Sequence, residues 1–281
     1  MKRILSLSIL LSGFLLVQGV QAATDARKRM SENVVTLSDL QGDLEAEVSF
    51  GRDIAARILG RMKLVDNQPI NEYLNLVGHS VARFGSRPEV NYRFALVDSD
   101  SINAYAAPGG YIFITTGAFA LMQDEAELAA VLAHEVAHVN QRHIVNALGI
   151  RGSEQGAEAG LSRLIGGATD TVRVAFEQAI DKAVQILFDE GLKQADEMEA
   201  DHLGVVTAAL AGYDPQAMTR YLARIEAQRG EETAILYKTH PPMAQRQQAI
   251  GELIQTENLL AVGSARGQSR FSQIQGMLNN E

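Results

Sequence analysis

The sequence contains no cysteine among its 281 residues. This absence excludes disulfide bonds as a source of stability, and it also excludes anchoring through a lipid-modified cysteine. The stability of the fold must therefore come from its hydrophobic core and from any metal ion that it binds.

Long apolar runs are also absent, except at the N-terminus. There Lys2 and Arg3 precede an apolar run from Ile4 to Val17, which is followed by Val20-Gln21-Ala22. The run is short for a membrane span of roughly 20 residues, and the small-x-small end is typical of a signal peptidase site. We therefore predict a signal peptide cut after Ala22 and a soluble, exported protein. An uncleaved N-terminal anchor is the alternative.

The sequence also lacks an excess of basic residues. The chain has 25 Lys and Arg against 34 Asp and Glu, a formal net charge of -9 and a pI near 5.2. This balance argues against nucleic acid as a partner. Removal of the signal peptide would leave about 260 of the 281 residues. That length is enough for one domain with a sizeable core, with or without a small appendage.

The most informative motif is His134-Glu135-Val136-Ala137-His138. Histidines four residues apart project from the same face of a helix, where two imidazoles can bind one metal ion. Glu135 would lie beside that metal, and its carboxylate could take a proton from a metal-bound water. This H-E-x-x-H pattern predicts a zinc hydrolase. Two surface histidines on an ordinary amphipathic helix are the alternative.

The surrounding residues favour a helix independently of the motif. Asp124 and Glu127 have the spacing of an N-terminal capping box, and Gly149 is the expected stop. Between them lies an apolar stripe at helical spacing, formed by Leu128, Val131, Leu132 and Val136.

A catalytic zinc usually has three protein ligands, so a third must come from elsewhere in the chain. The best candidate is Glu197, near the start of a predicted helix that runs to Leu210. Asp201 lies on the same helix face and could hold a ligand histidine by its second ring nitrogen, whereas Glu199 points about 200° away. An exposed acidic helix start, favoured by the macrodipole, is the alternative.

The other histidines differ in whether their positions suit a role in the site. His143 would lie about 180° round a continuing helix from His134, and neither His79 nor His202 has ligand spacing, so we expect none of the three to bind the metal. His240 precedes a proline-initiated helix, with Arg246 near its first turn. These two side chains could face a cleft and donate hydrogen bonds to a developing oxyanion.

Two stretches suggest how a substrate could be held. Paired glycines, the second of which is Gly110, precede a short β-prone run, Tyr111-Ile112-Phe113-Ile114. A strand of this kind at a sheet edge could pair with an extended peptide, but a plain core strand has the same composition. The glycine-rich stretch from Arg151 to Asp170 could be a flap over the cleft or an ordinary surface loop.

Helical spacing or strand alternation predicts the other elements. We expect helices over about 44–64, 69–84, 172–187 and 214–228, a strand from Val90 to Leu96, and a polar tail from about Ser264 that could form a short helix.

Together these segments resemble the HtpX, Oma and CAAX prenyl protease type of zinc metallopeptidase, over residues 45–254. The family's H-E-x-x-H corresponds to residues His134 to His138, and its E-x-x-x-D to Glu197 to Asp201, which implies Glu197 as the third ligand. The family's histidine and arginine correspond to His240 and Arg246. The resemblance is greatest to the exported, BepA-like and LoiP-like periplasmic members.

The resemblance carries further implications. The segment from Asn103 to Gly117 looks like the family's active-site edge strand, and His240 could occupy the open metal position and inhibit the resting enzyme. Membrane spans, a lipid anchor and C-terminal helical repeats occur in some members, and we expect none of them here. The implied fold is α+β and mainly helical, zincin-like, with a small sheet whose edge strand borders the cleft.

The expected organisation has four parts. They are a signal peptide (residues 1–22), a flexible lead-in (23–43), a zinc metallopeptidase domain (44–256) and a C-terminal tail (257–281). The expected function is zinc-dependent endoproteolysis of misfolded envelope proteins in the periplasm, with one Zn²⁺ per chain and polypeptide substrates. Contact with the outer-membrane assembly machinery is a further expectation. A chaperone or assembly factor for outer-membrane proteins, using the same cleft, is the alternative.

Overall fold

The computed structural model describes residues 41–150, 161, 169–228 and 230–279. The predicted signal peptide, nearly all of the predicted lead-in and most of the glycine-rich stretch therefore lie outside the described residues. None of the helices within the described ranges combines the length and the apolarity that a membrane span requires.

The described residues form a mainly helical structure with one small sheet. The helices are Gln41–Leu59 (α1), Gln68–Ala82 (α2), Thr116–Leu121 (α3), Glu125–Asn140 (α4), His143–Ala147 (α5), Asp170–Gln185 (α6), Gln194–Leu210 (α7), Ala217–Ala227 (α8), Ala234–Thr239 (α9), Met243–Thr256 (α10) and Gln268–Gln275 (α11). The strands are Arg93–Val97 (β1), Ala104–Ala107 (β2) and Tyr111–Thr115 (β3). The expected α+β, mainly helical fold is confirmed.

The sheet has the order β1-β3-β2, with β1 parallel and β2 antiparallel to β3. The run from Tyr111 to Ile114 is therefore the central strand, and the prediction that it forms a substrate-binding edge is wrong. Its backbone groups are shared between two neighbours because β2 folds back onto β3 through the tight turn Pro108–Gly110. In that turn Gly109 and Gly110 have φ values of 72° and 91°, which a residue without a Cβ adopts readily.

Strand β2 forms one edge of the sheet. The opposite edge, on β1, is capped by Asn75, whose side chain bonds both the backbone N (3.2 Å) and the backbone O (2.7 Å) of Phe94. Strand β2 has no strand partner on its outer side among the described residues. Since β2 also packs against α4, the open edge borders the helix that carries the H-E-x-x-H motif.

Helix α4 begins as predicted but ends early. The Asp124 side chain accepts a hydrogen bond from Glu127 N at 3.0 Å, the N-cap arrangement that its sequence predicts. The helix then ends at Asn140, because Arg142 adopts a left-handed conformation with φ 55°. The expected stop at Gly149 is wrong for α4, and that glycine instead follows the short helix α5.

Helices α4 and α7 pack in the core with unusually close backbones. A Cβ atom on Gly204 would lie 2.8 Å from the backbone nitrogen of His134, so only glycine permits this approach. The contact fixes the distance between the helix of the histidine motif and the helix of Glu197.

The C-terminal residues, predicted to form a tail, pack onto the beginning of α4. Phe271 of α11 is fully buried, Arg266 bonds the Asp124 carboxylate at 2.8 Å, and Arg270 forms an ion pair with Glu125. The start of the histidine helix is thus held by residues from the far end of the described chain.

Candidate metal centre and active site

The two histidines of the motif converge on one point beneath the protein surface. Helix α4 places His134 and His138 one turn apart, and their Nε2 atoms lie 3.0 Å from each other. Both residues are buried. When both rings are neutral, two ring nitrogens that face each other inside the protein can share only one proton. A metal ion that accepts a lone pair from each nitrogen is therefore the natural common partner.

Helix α7 brings Glu197 to the same point. Its two carboxylate oxygens lie 3.6 Å from His134 Nε2 and 3.6 Å from His138 Nε2. Zinc bonds of 2.0–2.1 Å in a tetrahedron would place ligand atoms about 3.3 Å apart, close to these distances. Glu197 Oε2 is buried and makes no hydrogen bond among the described residues, although His240 Nε2 lies 3.2 Å away. An unsatisfied buried carboxylate oxygen and two facing imidazoles fit a divalent metal site.

The charges of the three candidate ligands also suit a metal. Burial would raise the pKa of Glu197, but His240 and His138 hold it well below its usual range, so the carboxylate is ionised. Burial lowers the pKa of His138 well below its usual value. Burial would lower the pKa of His134 as well, but Asp201 and Glu197 raise it to about 9. A metal bound here would displace that proton.

Glu135 lies beside this cluster and is itself buried. Burial raises the pKa of its carboxyl to about 7, against the opposing effect of His134. A carboxyl group with a pKa near neutrality can both accept and return a proton at physiological pH, which is the requirement for a general base that later acts as an acid.

Asp201 and Arg246 form a buried layer behind His134. Asp201 Oδ1 lies 3.0 Å from His134 Nδ1, close enough to orient the ring, as expected from the sequence. Arg246 donates from Nε and Nη2 to the two Asp201 oxygens at 2.7 and 2.6 Å. Two of its nitrogens are therefore engaged by Asp201, an interaction that the sequence did not suggest. The predicted contact of Arg246 with an oxyanion stays a prediction.

His240 reaches the cluster from the segment after α9. Its Nε2 lies 3.2 Å from Glu197 Oε2, and its Nδ1 lies 2.9 Å from the hydroxyl of Thr239. Burial lowers the pKa of His240 to about 4, so the ring is neutral. The structure thus places His240 next to the candidate ligands. The sequence predicted that His240 faces the cleft, although it is far from the H-E-x-x-H motif along the chain.

His143 contacts the site in a way that sequence reasoning missed. Its Nδ1 lies 2.8 Å from Nδ1 of His138, and its Nε2 lies 3.2 Å from Glu199 Oε2. The estimate of 180° from His134 assumed that α4 continues, whereas the chain turns at Arg142 and brings His143 back. The only signal for this contact in the sequence was that a third histidine follows the H-E-x-x-H motif closely.

Comparison with known sequences supports the same chemistry. The sequence model described as peptidase family M48 matches residues 69–254, which is more than half of the chain. The chain belongs to peptidase family M48. It is therefore a metallopeptidase, and the expected resemblance to this group of enzymes is confirmed.

Named relatives of this M48 peptidase include members of two groups. A Vibrio cholerae protein with the provisional name beta-barrel assembly-enhancing protease is 30% identical over 205 residues, which are 70% of this chain and 42% of that protein. The beta-barrel assembly-enhancing protease of Escherichia coli is 26% identical over 225 residues, 75% of this chain and 45% of that protein. The mitochondrial metalloendopeptidase OMA1 of Schizosaccharomyces pombe is 24% identical over 214 residues, 74% of this chain and 61% of that protein. The chain thus spans less than half the length of the first group.

The cleft of this M48 peptidase has two parts, which share Asn103, Ala104, Glu135 and His240. Each encloses only about 40 Å³, which is well below the usual range for ligand pockets. One part runs along β2. The other has an apolar wall formed by Val131, Met218, Tyr221, Leu222, Ile225 and Leu236. The predicted substrate residues Gly110 to Ile114 line neither part, because they belong to the turn before β3 and to the central strand itself.

Proposed function

We propose that this M48 peptidase is a zinc-dependent endopeptidase that cleaves unfolded or misassembled envelope proteins in the periplasm. The observation that carries the proposal is the buried convergence of His134, His138 and Glu197 beside Glu135. The pairing of two imidazoles and one carboxylate with an adjacent general base is the donor set that a hydrolytic zinc centre uses.

Each residue has a distinct role in the proposed reaction. His134, His138 and Glu197 would hold the zinc ion, which when bound supplies a Lewis acid for the scissile carbonyl and for a water molecule. The Glu135 carboxylate takes one proton from that water as the water oxygen bonds to the carbonyl carbon. Glu135 then passes this proton to the leaving amine nitrogen as the C–N bond breaks.

Two further groups support the reaction. His240, neutral and next to Glu197, can donate a hydrogen bond to the oxygen that becomes negative as the tetrahedral intermediate forms. Asp201, held by Arg246, orients the His134 ring, a function that ligand histidines usually require. If Arg246 also faces the oxyanion, it must do so through the nitrogen that Asp201 does not engage.

The shape of the cleft supports an extended, partly apolar substrate. The outer edge of β2 can pair with a peptide strand through backbone hydrogen bonds, which are independent of sequence. The apolar wall next to Glu135 can contact a hydrophobic side chain close to the scissile bond. Unfolded chains expose both features together, whereas folded proteins bury them.

The proposed location rests on the N-terminal residues. Lys2 and Arg3, the apolar run after them and Ala22 predict export and cleavage, which would release residues 23–281 into the periplasm. N-terminal sequencing of the protein purified from cells tests this directly. A first residue of Ala23 is expected, and an intact Met1 would support the N-terminal anchor instead.

A second candidate function is that of an assembly factor or chaperone for outer-membrane proteins. It is favoured by the open edge of β2, which can hold an extended client without cleaving it, and by the name of the first group of relatives. In this case contact with outer-membrane assembly machinery would accompany client binding.

One variant separates the two functions. Glu135→Gln removes the general base and keeps the shape of the site, so we expect cleavage of an unfolded substrate such as casein to fall by about 10²–10⁴-fold while zinc remains bound. Glu45→Gln, at an exposed glutamate of α1, is the matched control. Undiminished proteolysis by Glu135→Gln would refute the role of Glu135. Prevention of client aggregation that survives this substitution would support the assembly function.

A further inference from the structure

We propose that His143 is a positioning residue that holds the ring of His138, and that Glu199 in turn fixes the proton of His143. The inference rests on the proposed role of His138 as a metal ligand. It gives a function to two residues that lie outside the H-E-x-x-H motif and on different helices, α5 and α7.

The contacts form a chain that leads away from the metal site. His138 Nε2 faces His134 and Glu197, whereas His138 Nδ1 lies 2.8 Å from His143 Nδ1. On the far side of the His143 ring, Nε2 lies 3.2 Å from Glu199 Oε2. The His143 side chain is 3% exposed and that of Glu199 is 46% exposed, so the chain runs from the buried site to the surface.

The donors and acceptors along this chain admit one consistent arrangement with a metal bound. A metal takes the lone pair of His138 Nε2, so the proton of that neutral ring must be on Nδ1 and must be donated to His143 Nδ1. His143 Nδ1 therefore accepts, and the ring proton of His143 is on Nε2, where the Glu199 carboxylate accepts it. Glu199 thus favours the tautomer of His143 that can support His138.

His143 reaches this position because the chain turns directly after α4. Arg142 adopts a left-handed conformation, and its Nε donates to Glu47 Oε2 at 2.8 Å. Glu47, buried on α1, also accepts two hydrogen bonds from Arg87 and one from Gly109 N. The turn is therefore held by a buried ionic network, which makes the place of His143 a fixed feature of the fold.

The two ligand histidines are supported by different chemistry. His134 contacts the ionised Asp201, which Arg246 holds in place, whereas His138 contacts the imidazole of His143, which has the Glu199 carboxylate behind it. Loss of an outer partner of a ligand histidine typically weakens metal binding 10–100-fold. Substitutions at His143 should therefore act on metal affinity through His138, without removing any ligand.

The test compares zinc affinity, by competition with a chromophoric chelator, among full-length variants. His143→Phe keeps a ring without an acceptor, and we expect its zinc Kd to rise about 10–100-fold. In His143→Asn, the side-chain carbonyl oxygen can take the position of His143 Nδ1 and accept the same hydrogen bond. We therefore expect this variant to keep most of the zinc affinity of the wild type. Glu199→Ala should weaken binding several-fold, because water can replace an exposed carboxylate. Asp196→Asn, on the same helix as Glu199, is the matched control and should bind as the wild type does.

Three outcomes would overturn the inference. They are a zinc Kd for His143→Phe within about twofold of the wild type, equal weakening by His143→Phe and His143→Asn, and equal weakening by Asp196→Asn and Glu199→Ala. If His143→Phe fails to fold, long-range ¹H–¹⁵N spectra of the zinc-loaded wild type decide. These should show protons on His138 Nδ1 and His143 Nε2, and a proton on His143 Nδ1 would exclude the arrangement. A wild-type protein that binds no zinc would instead refute the proposed function.

Discussion

Gly204 lies where helix α7 packs against helix α4, and its replacement by alanine tests whether this contact sets the geometry of the metal site. The added Cβ would lie 2.8 Å from the backbone nitrogen of His134 and 2.9 Å from its Cα. Both neighbours are backbone atoms inside a helix, so neither can rotate away as the end of a side chain would.

The size of the displacement follows from the contact distances. Ordinary contacts of a Cβ begin at 3.4 Å, so the helices must separate by about 0.6 Å if they move as rigid bodies. Metal–ligand distances tolerate changes of only about 0.2 Å. Glu197 and Asp201 lie on α7, whereas His134 and His138 lie on α4, so the movement would open the site although no ligand has changed.

We therefore expect Gly204→Ala to bind zinc at least about 10-fold more weakly and to lose about 1–3 kcal/mol of stability through overpacking. Chelator competition and denaturant unfolding of the metal-free protein measure the two effects. Gly251→Ala is the matched control, because it is also a helical glycine and a Cβ there meets nothing within 4 Å. It should gain up to about 1 kcal/mol. Wild-type zinc affinity and stability in Gly204→Ala would refute the reasoning.

Three further predictions concern two ion pairs and the bound metal. Asp201→Asn leaves the buried Arg246 without its anionic partner, so the free energy of unfolding should fall by about 3–5 kcal/mol in denaturant titration; a loss below about 1 kcal/mol would contradict the buried pair. Burial would raise the pKa of Glu125, but Arg270, with Tyr73 and Tyr213, holds it below its usual 4.5. A carboxyl group with a depressed pKa stabilises the fold above its ordinary pKa and loses that contribution on acidification. The Tm difference between wild type and Arg270→Met should therefore be present at pH 7 and shrink below pH 4, and a difference independent of pH would exclude this ion pair as its cause. Finally, EDTA should lower the Tm of protein purified with its metal, since zinc at 100 times its Kd stabilises by about 2.7 kcal/mol; an unchanged Tm would indicate that no metal is bound to the folded state.

The strand order shows where prediction from the sequence failed. Tyr111 to Ile114 have the composition of a β-strand, and they form one, but alternation and β propensity are the same in a central and an edge strand. Which strand is at the edge depends on the fold-back at Pro108–Gly110 and on Asn75, which caps the other side of the sheet. The first is a turn between neighbouring strands and the second is a side-chain contact across 19 residues, and neither changes the alternation of residues in β3.

The sequence by itself determined the local geometry of the site. Helical periodicity places His134 and His138 on one face, and Asp124 begins their helix, because these effects act within one or two turns of the chain. The same periodicity placed Glu197 and Asp201 on one face of a second helix. The tertiary structure decided which residues contact these helix faces. The approach of the two helices at Gly204, the pairing of Arg246 with Asp201, and the turn at Arg142 that returns His143 to His138 all depend on contacts across 40 or more residues or on a left-handed backbone held by Glu47. Packing and buried ion pairs select such arrangements from many that the local sequence permits equally well.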